Sequence, residues 1–462
     1  MKSPQLPVAL VALGLSLTLV LSSSAADKVF NILDYGARGD ATTLDTAAIQ
    51  KAIDAAHAVG GGARVLIPKG RTFLTSTLEL RANIDFHIQG GAELVISTNR
   101  ADYASDGGVL TALNAENLTI SGKGKFMGRA LSFMTGYDAK DEWWLFKEWR
   151  PKMFILTGCT NLVVRDITFG DAPEWGLHML GCHKVLVDGI KVRNHLDVPN
   201  CDGIDPDHCT DVLIKNCDIV CGDDAIVIKN TRQTKDYGPS ANIRVQDCVM
   251  ETQDSGLKLG TETTSDIRDI IFERCEIKSS CRGLTIQLRD EGSVSNIVFR
   301  DIKFTSRYHS DPWWGRGEAI SFTAIQRTNS IPLGKIQNVL VQNVTGLAEN
   351  SIRVYGAEPG HIENIRFENV AVKFNRWTKY KGGLFDNRPT KVYETILIHN
   401  NPGFALHNAV DVTLRDCRVS WGGNLPDYFT HALEAENVTG LKLTRFKGEA
   451  AHSDRDAAII VR

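Results

Sequence analysis

The chain has 462 residues, 43% of them hydrophobic and 23% charged, the make-up of a folded globular protein rather than a disordered or fibrous one. Its net charge of −3 gives no electrostatic footing for nucleic acid or an anionic membrane, so any attraction for a polyanion has to be local. Length alone allows two or three average domains, but repeat folds run long as single units.

Residues 1–26 read as an export signal. Lys2 supplies the positive charge, Val8 to Leu21 form a short apolar core, and Ser22-Ser23-Ser24-Ala25-Ala26 gives the small residues of a cleavage site. A retained membrane anchor is the alternative, but the run is short for a span and breaks into Ser and Ala. The remainder, 27–462, is expected to be one domain that is secreted or periplasmic, monomeric, and free of the membrane once the signal is removed.

Residues 45–59 follow a helical period, with Ala48, Ile49, Ala52, Ile53 and Ala56 on one face, and Gly60-Gly61-Gly62 stops the helix. Such a helix would cover the open edge of a sheet. From Asn117 onward one phrase recurs: a polar cap, a short alternating strand, Asp or Asn, then a second short strand. Copies start at Asn161, Lys184, Asp211, Asn242, Asp269, Asn296, Asn338, Asn364 and Asp411, with shortest steps of 23 to 31 residues. A fixed period of this size with β-type alternation means a solenoid. The units lack the spacing of helical repeats, and a β-propeller blade needs about 40 residues. The expected fold is therefore all-β: a right-handed parallel β-helix, one coil per repeat, with an N-terminal capping helix. Three segments depart from the repeat: Gly128 to Lys152 with Trp143, Trp144 and Trp149, a loop with Trp313-Trp314, and a loop with Trp377 and Tyr380.

Ten cysteines in an exported chain invite a disulfide reading. Cys217, Cys248 and Cys275 occupy one slot of three successive repeats, which suits a stacked column of small buried side chains. Cys201, Cys209, Cys221 and Cys281 fall outside that slot and are the better bridge candidates, with connectivity open. Zinc is not expected, because no paired CxxC spacing is present.

Three coils align without gaps from Cys217, Cys248 and Cys275, and a small residue (Ala225, Gly256, Gly283) follows eight positions after each cysteine. Gly176 and Gly203 take that slot in the two preceding coils, and Ala319 in a later one. The residues before them form a column: Trp175, Asp202, Asp224, Ser255, Arg282, Glu318. Asp202 and Asp224 then lie on adjacent coils at ~5 Å, where two carboxylates cannot both ionise without penalty. Asp223 adds a third acid, so one can stay protonated while the others are charged, as acid–base catalysis requires. Asp before Gly is also common in turns, and that reading is preferred for Asp205, Asp207 and Asp254. Calcium could use clustered oxygens but ranks below catalysis, since no ordered ligand series is visible.

At these residues the chain resembles glycoside hydrolase family 28, the polygalacturonases and their relatives. The likeness begins at N-I-L-D-Y-G-A-R-G-D with the following helix and extends to about Asn375; N-C-D-G-I-D is similar to the family's N-T-D segment and G-D-D-A-I-V-I-K to its D-D segment. The resemblance implies hydrolysis with inversion, Asp223 as general acid, and Asp202 and Asp224 holding and deprotonating water. No cofactor or metal is implied. It also exposes departures. The G-H-G segment aligns with Asp254-Ser255-Gly256 and the R-I-K segment with Thr285-Ile286-Gln287, so a histidine and two cations that hold a galacturonate carboxylate are replaced. Lys258, Arg282 and Arg289 are candidates to compensate; Arg282 could bind a carboxylate or act as a partner of Asp224. Gln287, in the R-I-K slot, and Trp175 and His178, in A-P-E-W-G-L-H, complete the candidate substrate-binding set. Trp175 reads equally as a sugar platform or a packed edge aromatic, and His178 as a structural histidine or a ligand. The loop tryptophans suit sugar stacking or loop packing, and long insertions favour attack at chain ends.

The expectation is thus an exported hydrolase of pectin-type polysaccharides or oligosaccharides. The alternatives are a hydrolase of another glycan, a polysaccharide lyase, and a non-catalytic glycan-binding protein.

Overall fold

In a computed structural model, residues 28–103 and 107–462 are described, and the export segment read from residues 1–26 lies outside them. The polar cap of each repeat turns a corner. Asn161, Lys184, Asp211, Asn242, Asp269 and Asn296 all adopt left-handed backbone with φ between 54° and 59°. Asn and Asp tolerate that region better than other residues with a Cβ, which is why they recur there. Stacked corners then bond to one another: Asn161 donates to Asn117 at 3.0 Å, Asn338 to Asn296 at 3.2 Å and Asn364 to Asn338 at 2.7 Å.

Each corner opens a strand, and corresponding strands pair in parallel from coil to coil, for example Thr160–Arg165 with His183–Asp188, Thr210–Lys215 and Ser240–Gln246. The result is a right-handed parallel β-helix, the connection hand expected of parallel strands. Inward residues stack in files down the axis, as in Phe272 on Phe299 at 4.9 Å and Phe299 on Phe322 at 5.7 Å between ring centroids. The helix Thr46–Val59 buries Ile49, Ala52, Ile53 and Ala56 against the first coils and ends at Gly60, at the position read from sequence.

The disulfide expectation is overturned. All ten cysteines are buried free thiols. Cys217, Cys248 and Cys275 do stack on successive coils. Cys209 belongs to a second such file with Cys182 and Cys159, since Thr160, His183 and Thr210, one position on, pair from coil to coil. Cys201 and Cys221 sit in the turns that carry the acids, where the Gly222 amide donates to Cys201 Sγ at 3.1 Å.

The three aromatic insertions, far apart in sequence, meet in space. Met134–Asp138 and Trp143–Phe146 form an antiparallel hairpin. Trp313 Nε1 donates to the Glu142 carbonyl at 3.3 Å, Trp143 meets Trp313 edge-on at 6.0 Å, and Tyr380 donates to Glu142 Oε2 at 2.6 Å. Together they raise one wall beside the coils that bear the acids.

Candidate active site

Backbone hydrogen bonds fix the phase of the coils. Gly176 N donates to Asp202 O at 3.1 Å, Gly203 N to Asp224 O at 2.9 Å and Ala225 N to Ser255 O at 2.9 Å, while Ser255, Arg282 and Glu318 are direct strand partners. Trp175, Asp202, Asp224, Ser255, Arg282 and Glu318 therefore form one row. The small residue after each is required by close approach: a Cβ at Gly203 would lie 2.3 Å from the Ala225 carbonyl. A second row runs beside it through His178, Asp205, Val227, Lys258, Thr285 and Ser321. Asp207 and Lys229 pair in a third row.

Oxygens of Asp202, Asp223 and Asp224 all lie within 4.8 Å of one another. Two lysines divide this charge. Lys258 Nζ is 2.6 Å from Asp224 Oδ2, and Lys229 Nζ is 3.3 Å from Asp202 Oδ2 and 2.9 Å from Asp205 Oδ1. Burial opposes the charge on both lysines, but Asp224 beside Lys258 and Asp205 and Asp202 beside Lys229 outweigh it, and both pKa values are raised. Among the described residues, Asp202 Oδ1 and Asp224 Oδ1 have no hydrogen-bonding partner. Each carboxylate thus has one oxygen beside an ammonium group and a second, buried oxygen that no donor satisfies.

Asp223 is different. It is the least buried of the three and accepts the Asn200 amide at 3.1 Å and the Asp224 amide at 2.9 Å. Desolvation, then the charges of Asp202, Asp254 and Asp224, raise its pKa well above the ordinary value despite those donors. A protonated acid beside two lysine-paired carboxylates is the division of labour that acid–base hydrolysis needs. Arg150 braces the turn by donating to Asn200 Oδ1, Pro173 O and Pro199 O, each at 2.9 Å.

The other residues singled out from sequence fall in different places. Trp175 is half-buried, with Lys152 Nζ 3.6 Å and Lys229 Nζ 4.0 Å from its ring centroid, and it meets His178 edge-on. His178 is buried and bonded through Nε2 to Asp207 Oδ2 at 3.0 Å; burial lowers its pKa, against the pull of Asp207. Lys258 lies within the acid cluster. Arg282 stands in the row but is fully buried, 3.2 Å from Asp386 and 3.7 Å from Glu318. Gln287 is buried too and donates to the Arg388 carbonyl at 3.2 Å. Asp254, read from sequence as a turn residue, faces Asp224, Lys258 and Arg282, and burial followed by the Asp224 charge pushes its pKa up to about 7. Lys229, Lys152 and Asp386 were missed. Lys229 closes the segment G-D-D-A-I-V-I-K on the same strand face as Val227, so its period-two spacing could have found it.

The model of glycosyl hydrolases family 28 matches residues 60–381, more than half of the chain. The chain belongs to that family. Among relatives of this family 28 protein, a probable polygalacturonase of Vitis vinifera is 25% identical over 301 residues, 58% of this chain and 59% of that one. A polygalacturonase of Medicago sativa is 26% identical over 368 residues, 74% of this chain and 82% of its own length. The chain spans under two thirds of the first of these. The solved family 28 exopolygalacturonase of Yersinia enterocolitica shares the fold at a TM-score of 0.68 and 19% identity, covering 91% of this chain and 79% of that one. The β-helix read from the repeat is the fold of that structure.

Proposed function

We propose that this chain is an exported, inverting glycoside hydrolase acting on pectin-type polysaccharides or their oligosaccharides, with Asp202, Asp223 and Asp224 as its catalytic acids. The observation that carries the reading is the meeting of the three carboxylates, two of them lysine-paired and the third driven towards its protonated form. Asp223 gives its proton to the glycosidic oxygen as the C–O bond breaks. Asp202 and Asp224 hold a water and one of them takes its proton as the new C–O bond forms; attack from the opposite face is what the likeness to family 28 implies, since the oxygens of the trio lie within 4.8 Å of one another, closer than the ~6.5–9.5 Å usual for inverting pairs. Lys229 and Lys258 set an ammonium group against each of those two carboxylates in a buried wall. The same lysines neutralise the oxygens that a divalent cation would need, which favours acid–base chemistry over a metal site.

Lys152, held over the Trp175 ring at the less buried end, supplies a cation for an acidic sugar. The names of the relatives support a galacturonate polymer. A second reading, a hydrolase of a different glycan on the same scaffold, is favoured by one observation: Arg282 and Gln287, the side chains nearest the missing R-I-K cations, are bonded away beneath other residues. Incubating the mature protein with homogalacturonan, rhamnogalacturonan and their oligomers, with and without chelator, tests both readings. New reducing ends without an unsaturated absorbing product, unaffected by chelator, are expected. Unsaturated products dependent on calcium would make it a lyase, and no turnover on any glycan would leave a binding protein. The export reading rests on residues 1–26, and N-terminal sequencing of protein recovered outside the cytoplasm should begin near Asp27.

A further inference from the structure

Two acids two residues apart on the strand Ile204–Asp207 are both 0% exposed, yet their surroundings differ. From sequence both read as turn residues; the structure puts them in the strand that follows Asp202. Asp207 has the donors a buried carboxylate needs. His178 Nε2 lies 3.0 Å from its Oδ2, and Thr231 donates through its amide at 2.9 Å and its hydroxyl at 2.5 Å. Burial opposes the charge, but the His178 and Thr231 bonds hold the Asp207 pKa below the ordinary value. Asp205 has no such set. Among the described residues neither of its oxygens has a hydrogen-bonding partner, and the ammonium of Lys229, 2.9 Å from Oδ1, is shared with Asp202 at 3.3 Å. Burial drives the Asp205 pKa well above the ordinary value against the pull of Lys229, and Asp202, within hydrogen-bonding reach, adds to the rise. Around Asp205 stand His178 on the preceding coil, Val227 and Lys229 on the next, and Lys152, whose charge also feels it.

We propose that Asp205 stands protonated behind Asp202 as a positioning residue, its O–H donating to the Asp202 carboxylate, so that Asp202 holds the attacking water and Asp224 takes the proton. The inference deepens the hydrolase reading above and rests on it. A charged Asp205 would set two carboxylates on one ammonium in a dry wall, with acceptor atoms that nothing satisfies, which is a costly arrangement. One proton answers both shortages. It removes a buried charge, and it gives Asp202, whose Oδ1 has no partner, a second donor beside Lys229. Asp202 is then fixed between Lys229 and Asp205, whereas Asp224 meets a single ammonium, Lys258 at 2.6 Å. The proton count balances. Asp223 gives its proton to the leaving oxygen, Asp224 takes one from the water as the water oxygen bonds the anomeric carbon, and the Asp205 proton stays in place throughout.

Asn has the shape and neutrality of a protonated Asp and keeps a donor, which sets the test. The infrared difference between wild type and Asp205→Asn at neutral pH, without substrate, should contain the C=O stretch of a buried carboxylic acid. Its absence would overturn the proposal whatever the chain does to glycans. On a pectic oligomer, Asp205→Ala should lower kcat roughly 10- to 100-fold with KM little changed, the worth of one hydrogen bond to a charged group, and Asp205→Asn should retain roughly ten times the kcat of Asp205→Ala. Equal kcat in the two variants, or an Asp205→Asn chain that does not fold, would also overturn it. If no glycan is cleaved by the wild type, the hydrolase reading falls, and the infrared band still decides whether Asp205 carries a proton. A raised folded pKa gives stability that is full below the unfolded value and is lost as pH rises through the folded one, so wild-type unfolding midpoints should fall with rising pH more steeply than those of Asp205→Asn. Parallel curves for the two proteins would contradict a protonated Asp205.

Discussion

Lys258→Met removes the ammonium group 2.6 Å from Asp224 Oδ2 while keeping most of the side-chain volume. Both partners are almost wholly buried, with side chains 4% and 5% exposed, so solvent cannot replace the lost charge. Opposite charges at that distance attract by roughly 6 kcal/mol at an effective dielectric of 20, part of which desolvation cancels. Breaking one side of such a pair typically costs ~3–5 kcal/mol, because an uncompensated carboxylate remains in a dry wall. The variant has two ways out: it carries that cost as lost stability, or the carboxylate takes up a proton and ceases to act as a base. Either is measurable. Urea unfolding gives the first, and the pH profile of kcat/KM gives the second as an acid limb displaced to higher pH, with turnover at acid pH falling by ~10²–10⁴, the usual worth of a general base. A Lys258→Met protein with unchanged unfolding midpoint and an unchanged acid limb would refute the assignment of Lys258 as the group that keeps Asp224 charged.

Other outcomes follow from the same geometry. Asp223→Asn should abolish turnover by ~10²–10⁴ or more while leaving oligosaccharide binding by calorimetry near the wild-type value. Asp254→Asn removes a negative neighbour that raises the Asp223 pKa, so the alkaline limb of kcat/KM should move to lower pH. Asp254 also bears on stability: its folded pKa, about 7, exceeds the unfolded value, so its contribution is full below the unfolded pKa and is lost as pH rises towards 7, and wild-type unfolding midpoints should fall over that window more than those of Asp254→Asn. Ellman titration should find ten thiols only after denaturation, and reductant should leave the melting temperature unchanged. Phe299→Ala, in the middle of the aromatic file, should cost ~3–5 kcal/mol in chemical unfolding.

What the sequence made legible is what a repeat encodes. The left-handed corners select Asn and Asp, the inward files select Val, Ile, Phe and Cys, and the close approach at Gly176, Gly203 and Gly256 leaves a column of small residues from which coil phase can be counted. That phase was enough to set Asp202 above Asp224. Lys258 pairing with Asp224 depends on the same phase carried one strand further. The contacts of Asp386 were illegible for the opposite reason. Asp386 reaches Arg282 and Gly315 from a non-repeating insertion, where no periodicity fixes a register and nothing local marks partners 104 and 71 residues away. The cysteines mislead because spacing outside one file does not mean availability for bridging: Cys209 stands in a second file, and Cys201 and Cys221 in the turns that carry the acids.

The most direct measurement is proton NMR of the first sugar released from a pectic oligomer by the wild type, recorded before mutarotation, beside the same reaction with Asp223→Asn. The account predicts a single new anomer of configuration opposite to the bond cleaved, and none from the variant. Release with the original configuration, or undiminished release by Asp223→Asn, would contradict it.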